Sequence, residues 1–249
     1  MPQLLEGKTA LILGVANKWS LAYAIAQAFV REGAKIILTY QGERLKQTVE
    51  ELGAELGAAQ VLECDVTKDL SVLTSLGRLD AVIHSIAFAN REDLSRPFVD
   101  TSRDGFLLAQ EVSVYSLVSV AKATAPLMTE GGAIMTLTYL GSTRVLTNYN
   151  VMGVAKAGLE AAVRYLASEL GEKKKRVNAI SAGPVKTASA RGIKDFSKIL
   201  ELVSSKAPLK RNTDPAEVAD MAVFLASDLG RGVTGDVLFV DAGFHIMGL

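Results

Sequence analysis

The sequence predicts a doubly wound α/β fold: one parallel sheet of about seven strands with helices on both faces. Three observations carry that expectation. Apolar runs of strand length recur along the chain, near residues 8–13, 34–39, 60–63, 79–84, 133–137, 176–181 and 236–241. Between them lie stretches with helical periodicity and helix-start or helix-stop residues. The alternation implies crossover connections, hence parallel strands covered on both faces. The chain has 249 residues, 49% of them apolar and 22% charged, and no linker, repeat or low-complexity tract. It is therefore read as a single domain over 1–249 with ample core.

The opening reads as a βαβ unit. After the 8–13 strand comes Gly14, then Val-Ala-Asn-Lys-Trp, then Ser20 as a helix N-cap. A helix follows over 21–31 with Ala22, Ile25, Ala26 and Phe29 on its apolar face, and Gly33 is placed to stop it. Such a turn lets backbone N–H groups and a helix N-terminus approach a pyrophosphate. The usual Gly-x-Gly-x-x-Gly is absent; Gly14, five residues and Ser20 stand in its place. Past the second strand, Gln41 and Glu43 suit a free ribose 2′-hydroxyl and favour NADH, while Arg44 could turn toward a 2′-phosphate. A helix is expected over 45–56. Asp65, after the third strand, can accept a hydrogen bond from an adenine amino group or cap the brief helix expected over 69–76. The fourth strand leads into Ser85-Ile86-Ala87-Phe88-Ala89, small residues at a strand's carboxyl end, where ligands sit in open α/β sheets. Residues 91–103 read as a polar loop, and 104–125 as one long helix closed by Pro126.

The richest stretch runs from Tyr139 to Lys156. Tyr139 lies just past the 133–137 strand, and Tyr149 and Lys156 lie at the start of a strong helix. Seven residues make two helical turns. That spacing puts Tyr149 and Lys156 on one face, roughly 10 Å apart along the axis. A phenol donor and an ammonium facing one cleft can polarise a carbonyl and grip a cofactor hydroxyl. Beyond the sixth strand, the Gly183-Pro184 turn can offer backbone groups to a nicotinamide amide, and Thr187 a hydroxyl to phosphate. Residues 188–206 read as a lid over the site. Asp214 and Pro215 start a helix running to about 227. The chain closes on an apolar Phe-His-Ile-Met-Gly-Leu, expected to be buried, at a subunit interface.

Other classes are disfavoured. Lys plus Arg equals Asp plus Glu at 27 each, which suggests neither nucleic acid nor an anionic membrane as partner. No apolar run approaches the ~20 residues of a membrane helix, and the N-terminus has no secretion pattern, so a cytoplasmic location is expected. One cysteine, Cys64, cannot form an intramolecular disulfide, and His84 and His245 have no ligand spacing, so no metal is expected.

Along its whole length the chain resembles the short-chain dehydrogenase superfamily, and within it the FabI-type enoyl-acyl-carrier-protein reductases. The resemblance rests on Gly14 to Ser20, Thr39-Tyr40-Gln41, Cys64-Asp65-Val66, His84 to Ala89, Leu137-Thr138-Tyr139-Leu140-Gly141, Asn148 to Gly153, Arg176 to Pro184, and Gly192-Ile193-Lys194-Asp195-Phe196. Ordinary short-chain dehydrogenases place a Tyr four residues before the Lys; here that position is Met152, which has no acidic proton. The enoyl reductases place it seven before, as Tyr149 is. The resemblance implies a Rossmann-type domain and NADH-dependent reduction of the carbon–carbon double bond of trans-2-enoyl thioesters on acyl carrier protein, the last step of the elongation cycle in type II fatty acid synthesis. It implies Tyr139, Tyr149 and Lys156 as catalytic residues, and Ala89 with both tyrosines as substrate contacts. Cofactor-binding positions map onto Gly14, Ser20, Leu21, Gln41, Asp65, Val66, Ile86, Lys156, Val185, Lys186, Thr187, Ala188 and Ser189. It also implies a homotetramer. The stretch from Thr67 to Leu79 is several residues shorter than the family's pattern, on the adenine side.

Overall fold

The computed structural model describes residues 3–185, 187 and 196–248. Seven strands form one sheet in the order β3-β2-β1-β4-β5-β6-β7, every neighbouring pair parallel. They are β1 (Thr9–Leu13), β2 (Lys35–Tyr40), β3 (Gln60–Glu63), β4 (Ala81–His84), β5 (Gly132–Thr138), β6 (Lys175–Ala182) and β7 (Val237–Val240). The helices are α1 (Leu21–Arg31), α2 (Glu43–Leu56), α3 (Ser71–Thr74), α4 (Arg91–Ser95), α5 (Arg103–Gln110), α6 (Ser116–Thr124), α7 (Asn150–Leu170), α8 (Phe196–Lys206) and α9 (Pro215–Ala226).

Strand alternation divides the core in two. Ala10, Ile12, Ala81, Ile83, Ala133 and Met135 point to the face covered by α1, α2 and α9. Leu11, Leu13, Val82 and Ile134 point to the face covered by α3, α6 and α7. A central strand buried on both faces must be apolar at every position, and TALIL in β1 is nearly so. The chain first winds outward, β1 to β2 to β3, then returns to place β4 on the other side of β1. The carboxyl ends of β1 and β4 thus flank the crevice where such sheets bind ligands.

Two expectations are corrected. The supposed loop over 91–103 contains α4 and a 3₁₀ turn at Phe98–Asp100. The long helix is broken by a π-helical turn at Glu111–Tyr115. By length and mean hydropathy the run Arg103–Leu127 resembles a membrane span, yet it holds no continuous apolar run of that length. Leu117, Val120 and Ala121 of that run are packed into the core under the sheet. Of the 188–206 segment read as a lid, 196–206 form α8 with Leu200 and Val203 buried, and 188–195 lie outside the described residues, so the lid remains a proposal. At the apolar C-terminus Ile246 is 68% exposed in the single chain, which leaves the expected burial at a subunit interface a proposal.

Helix α9 is started as expected. Asp214 accepts from the Ala216 N–H at 2.9 Å, and Glu217 reaches back to the Asp214 N–H at 2.9 Å, a complete capping box with Pro215 in the first turn. Asp214→Ala should cost about 1 kcal/mol and lower the melting temperature by roughly 2–4 °C, read by thermal denaturation.

Candidate active site

The crevice begins at Gly14. Its φ is +98°, and a β-carbon there would overlap the Ser85 carbonyl at the end of β4, so only glycine lets the two strand ends close up. Ser20 caps α1, accepting from the Tyr23 N–H, and Asn17 closes the turn before it by accepting from the Trp19 N–H at 2.9 Å. No acidic residue occupies the first turn of α1, so its positive end is left for an anion. A cavity of about 180 Å³ opens there, lined by Gly14, Ser20, Leu21, Ile86, Lys156 and Thr187 among others.

A larger cavity of about 430 Å³ shares Leu21, Lys156 and Thr187 with it, and adds Ala89, Tyr139, Tyr149 and Val185. Its remaining lining is mostly apolar, including Phe88, Leu94, Met152 and Phe196. One space for an anionic, polar molecule therefore adjoins one for an apolar chain, and Lys156 borders both.

Tyr139 continues β5 in extended conformation, and Tyr149 is the N-cap of α7. Their rings meet edge to face, centroids 5.2 Å apart. Tyr149 stands between two asparagines in the left-handed region, Asn148 at φ +63° and Asn150 at φ +35°. Asparagine tolerates that conformation better than most residues. Asn150 is also anchored, donating to the carbonyls of Leu94 at 3.1 Å and Arg96 at 2.6 Å. A β-carbon on Gly141 would run into the Tyr149 ring.

The titratable groups are perturbed in ways that suit this site. Burial, with Asp241 nearby, pushes the Tyr139 phenol up to about 12. Burial raises the Tyr149 phenol well above its usual range, and Tyr139 and Glu160 act in the same direction. Both phenols stay protonated donors at neutral pH. Lys156 is buried and lowered to about 8 by desolvation, with Glu160 opposing. Its Nζ donates to the Leu137 carbonyl at 2.7 Å.

Gln41, Asp65 and Val66 sit farther along the sheet edge, past the ends of β2 and β3, and line neither cavity. Asp65 does not cap α3; it accepts from the Thr67 N–H at 3.0 Å and its hydroxyl at 2.8 Å, while Asp69 accepts from the Ser71 N–H. Lys186, Ala188 and Ser189 lie outside the described residues. Sequence reasoning passed over Asn150, Phe88 as a wall, and Ser113, whose buried hydroxyl bonds both the N–H and the carbonyl of Phe88. Two asparagines flanking a candidate tyrosine were the readable signal for the first; the π-helical turn that presents Ser113 leaves none.

The family model for enoyl-(acyl carrier protein) reductase matches residues 14–245. The chain belongs to this family. It is 54% identical to the NADH enoyl-[acyl-carrier-protein] reductase FabI of Bacillus cereus, covering 99% of this chain and 100% of that one. It is 52% identical to the NADH enzyme FabI of Bacillus subtilis, covering 97% of each. The crystal structure of the Bacillus cereus enoyl-acyl carrier protein reductase with NADP+ and an indole naphthyridinone superposes with a TM-score of 0.96, at 55% identity over 99% of this chain and 100% of that one.

Gly141 tests whether the fit around Tyr149 matters. Gly141→Ala should leave the fold intact but displace the ring, lowering turnover about tenfold or more in a steady-state assay, because small misplacements of a reacting group are costly.

Proposed function

We infer that this chain reduces the carbon–carbon double bond of trans-2-enoyl thioesters carried on acyl carrier protein, using NADH, in the last step of fatty acid elongation. The observation that carries this reading is Met152. The position one helical turn before Lys156 holds a thioether, and the phenol donor stands instead at Tyr149, outside the helix.

The cradle fits a dinucleotide. Gly14 permits close backbone approach, α1 offers an uncompensated N-terminus, and Ser85, Ile86 and Ala87 leave room beside it. Lys156 would hold the nicotinamide ribose hydroxyls, Val185 would border the ring, and Thr187 would meet phosphate. Gln41, Asp65 and Val66 would form the adenosine end. When bound, NADH supplies the hydride that adds to the β-carbon of the enoyl group. Negative charge then develops on the thioester oxygen, where the Tyr149 hydroxyl donates a hydrogen bond. A preorganised donor of this kind is worth about 3–4 kcal/mol in the transition state. Tyr139, held against Tyr149, shapes the acyl side with Ala89 and Phe88. The apolar walls exclude water from the developing charge.

Ile246 at the C-terminus and Tyr115 in the π-helical turn are both more than half exposed, as apolar surface awaiting further copies would be. We take the chain to act as a cytoplasmic homotetramer, with 188–206 as its substrate lid.

The deciding experiment follows oxidation of NADH, with NADPH in parallel, on crotonyl and acetoacetyl thioesters. Only the crotonyl compound should turn over, faster with NADH; turnover of acetoacetyl thioester alone would overturn the reading of Met152. Tyr149→Phe should leave NADH binding nearly unchanged and lower kcat by about 10²–10³. Lys156→Ala should weaken NADH binding by about tenfold or more, measured by fluorescence titration, since a hydrogen bond from a charged group is worth about 1.5–3 kcal/mol.

A further inference from the structure

Glu160 is a buried acid that the reaction above does not use. It lies on α7 one turn beyond Lys156 and is only 7% exposed. Its carboxylate accepts from the Thr138 hydroxyl at 2.6 Å, while the Lys156 ammonium donates to the adjacent Leu137 carbonyl at 2.7 Å. Two side chains four residues apart on α7 thus grip two consecutive residues at the end of β5. The next residue is Tyr139.

A buried charge costs several kcal/mol unless an opposite charge or good donors compensate it. The titratable groups set around Lys156 are His84 from β4, Tyr139 beyond β5, and Tyr149 and Glu160 from α7. His84 is fully buried between Thr136 and Ser116, and burial pushes it down to about 3, so it is neutral. The two phenols are shifted upward and remain neutral as well. Lys156, lowered to about 8, is the group here that changes charge near neutral pH while His84 and the two phenols stay neutral. Glu160 is the neighbour that favours its charged form.

We propose that Glu160 is a positioning residue for the cofactor: its carboxylate keeps Lys156 an ammonium and, through Thr138, fixes the strand end from which Lys156 reaches the ribose. The proposal rests on Lys156 contacting the ribose, as argued above. It accounts for a buried acid that lines neither cavity itself yet holds Thr138 of the larger one and sits one turn from Lys156, which lines both.

Glu160→Gln tests it, because the amide oxygen can still accept from Thr138 while the charge is gone. NADH affinity is measured by fluorescence titration from about pH 6 to 9, without substrate. The wild type should lose affinity as pH rises through about 8, where the Lys156 ammonium deprotonates. In Glu160→Gln that loss should begin about one pH unit lower, so that binding is near wild type at about pH 6 and several-fold weaker at about pH 8. A superimposable pH dependence, or an equal loss at every pH, would overturn the proposal. Should Glu160→Gln fail to fold, Glu160→Asp keeps the charge and should keep the wild-type midpoint even if affinity falls; a shifted midpoint there counts against it. Unaltered NADH affinity in Lys156→Ala would sink the ribose contact itself, whereas a normal Lys156→Ala effect with an unshifted Glu160→Gln sinks only the role of Glu160.

Discussion

The hydrogen bond from Lys156 to the Leu137 carbonyl is the constraint on which the site depends. It ties the second turn of α7 to the end of β5, the strand that carries Tyr139. An ammonium held this way has fixed direction, and two of its three donors have no hydrogen-bond partner among the described residues. The same burial that fixes it also lowers its pKa to about 8. Holding it in place and keeping it charged are therefore opposed demands. The sheet meets the first through backbone geometry; a carboxylate on the same helix can meet the second.

Position along the sheet does the rest. Because β1 lies between β2 and β4, the Gly14 turn and the Ser85–Ala89 segment meet at one crevice although about seventy residues separate them. Helix α7 brings Tyr149 and Lys156 to the same place from the far side of β5. The polar cavity under α1 and the apolar one under α4 and α8 then share a border at Lys156. A cofactor and a thioester approaching from opposite sides would meet there.

Much of this was readable because it follows from strong local rules. The strands are continuous apolar runs, Ser20 and Asp214 are side-chain caps, and Gly33 is a stop; in each case one residue type decides the backbone. What escaped the sequence depends on distant contacts. The short α4 in a polar stretch is held by Asn150, more than fifty residues away, gripping its last carbonyls. The π-helical turn at Glu111–Tyr115 has no periodic signature and is accompanied by the Ser113–Phe88 bonds. Asp65 offered two readings, and the structure gives its Oδ1 to Thr67 in a turn and sets its Oδ2 3.8 Å from Lys68, leaving the adenine contact dependent on a bound ligand.

The placement of Tyr149 explains why this scaffold suits a double bond better than a ketone. At Met152, one turn from Lys156, a phenol would sit on the helix itself, close enough to the ammonium for its proton to be made more acidic. At Tyr149 the phenol stands at the helix entrance, turned by two left-handed asparagines, and every influence on it raises its pKa. Such a group is poorly suited to give up a proton and well suited to donate a hydrogen bond. Reducing a ketone leaves an alkoxide that must be protonated. Reducing an enoyl thioester needs charge on its oxygen to be stabilised only while the β-carbon receives hydride, with the proton arriving later at the neighbouring carbon. A phenol that stays protonated beside an apolar cavity meets that requirement.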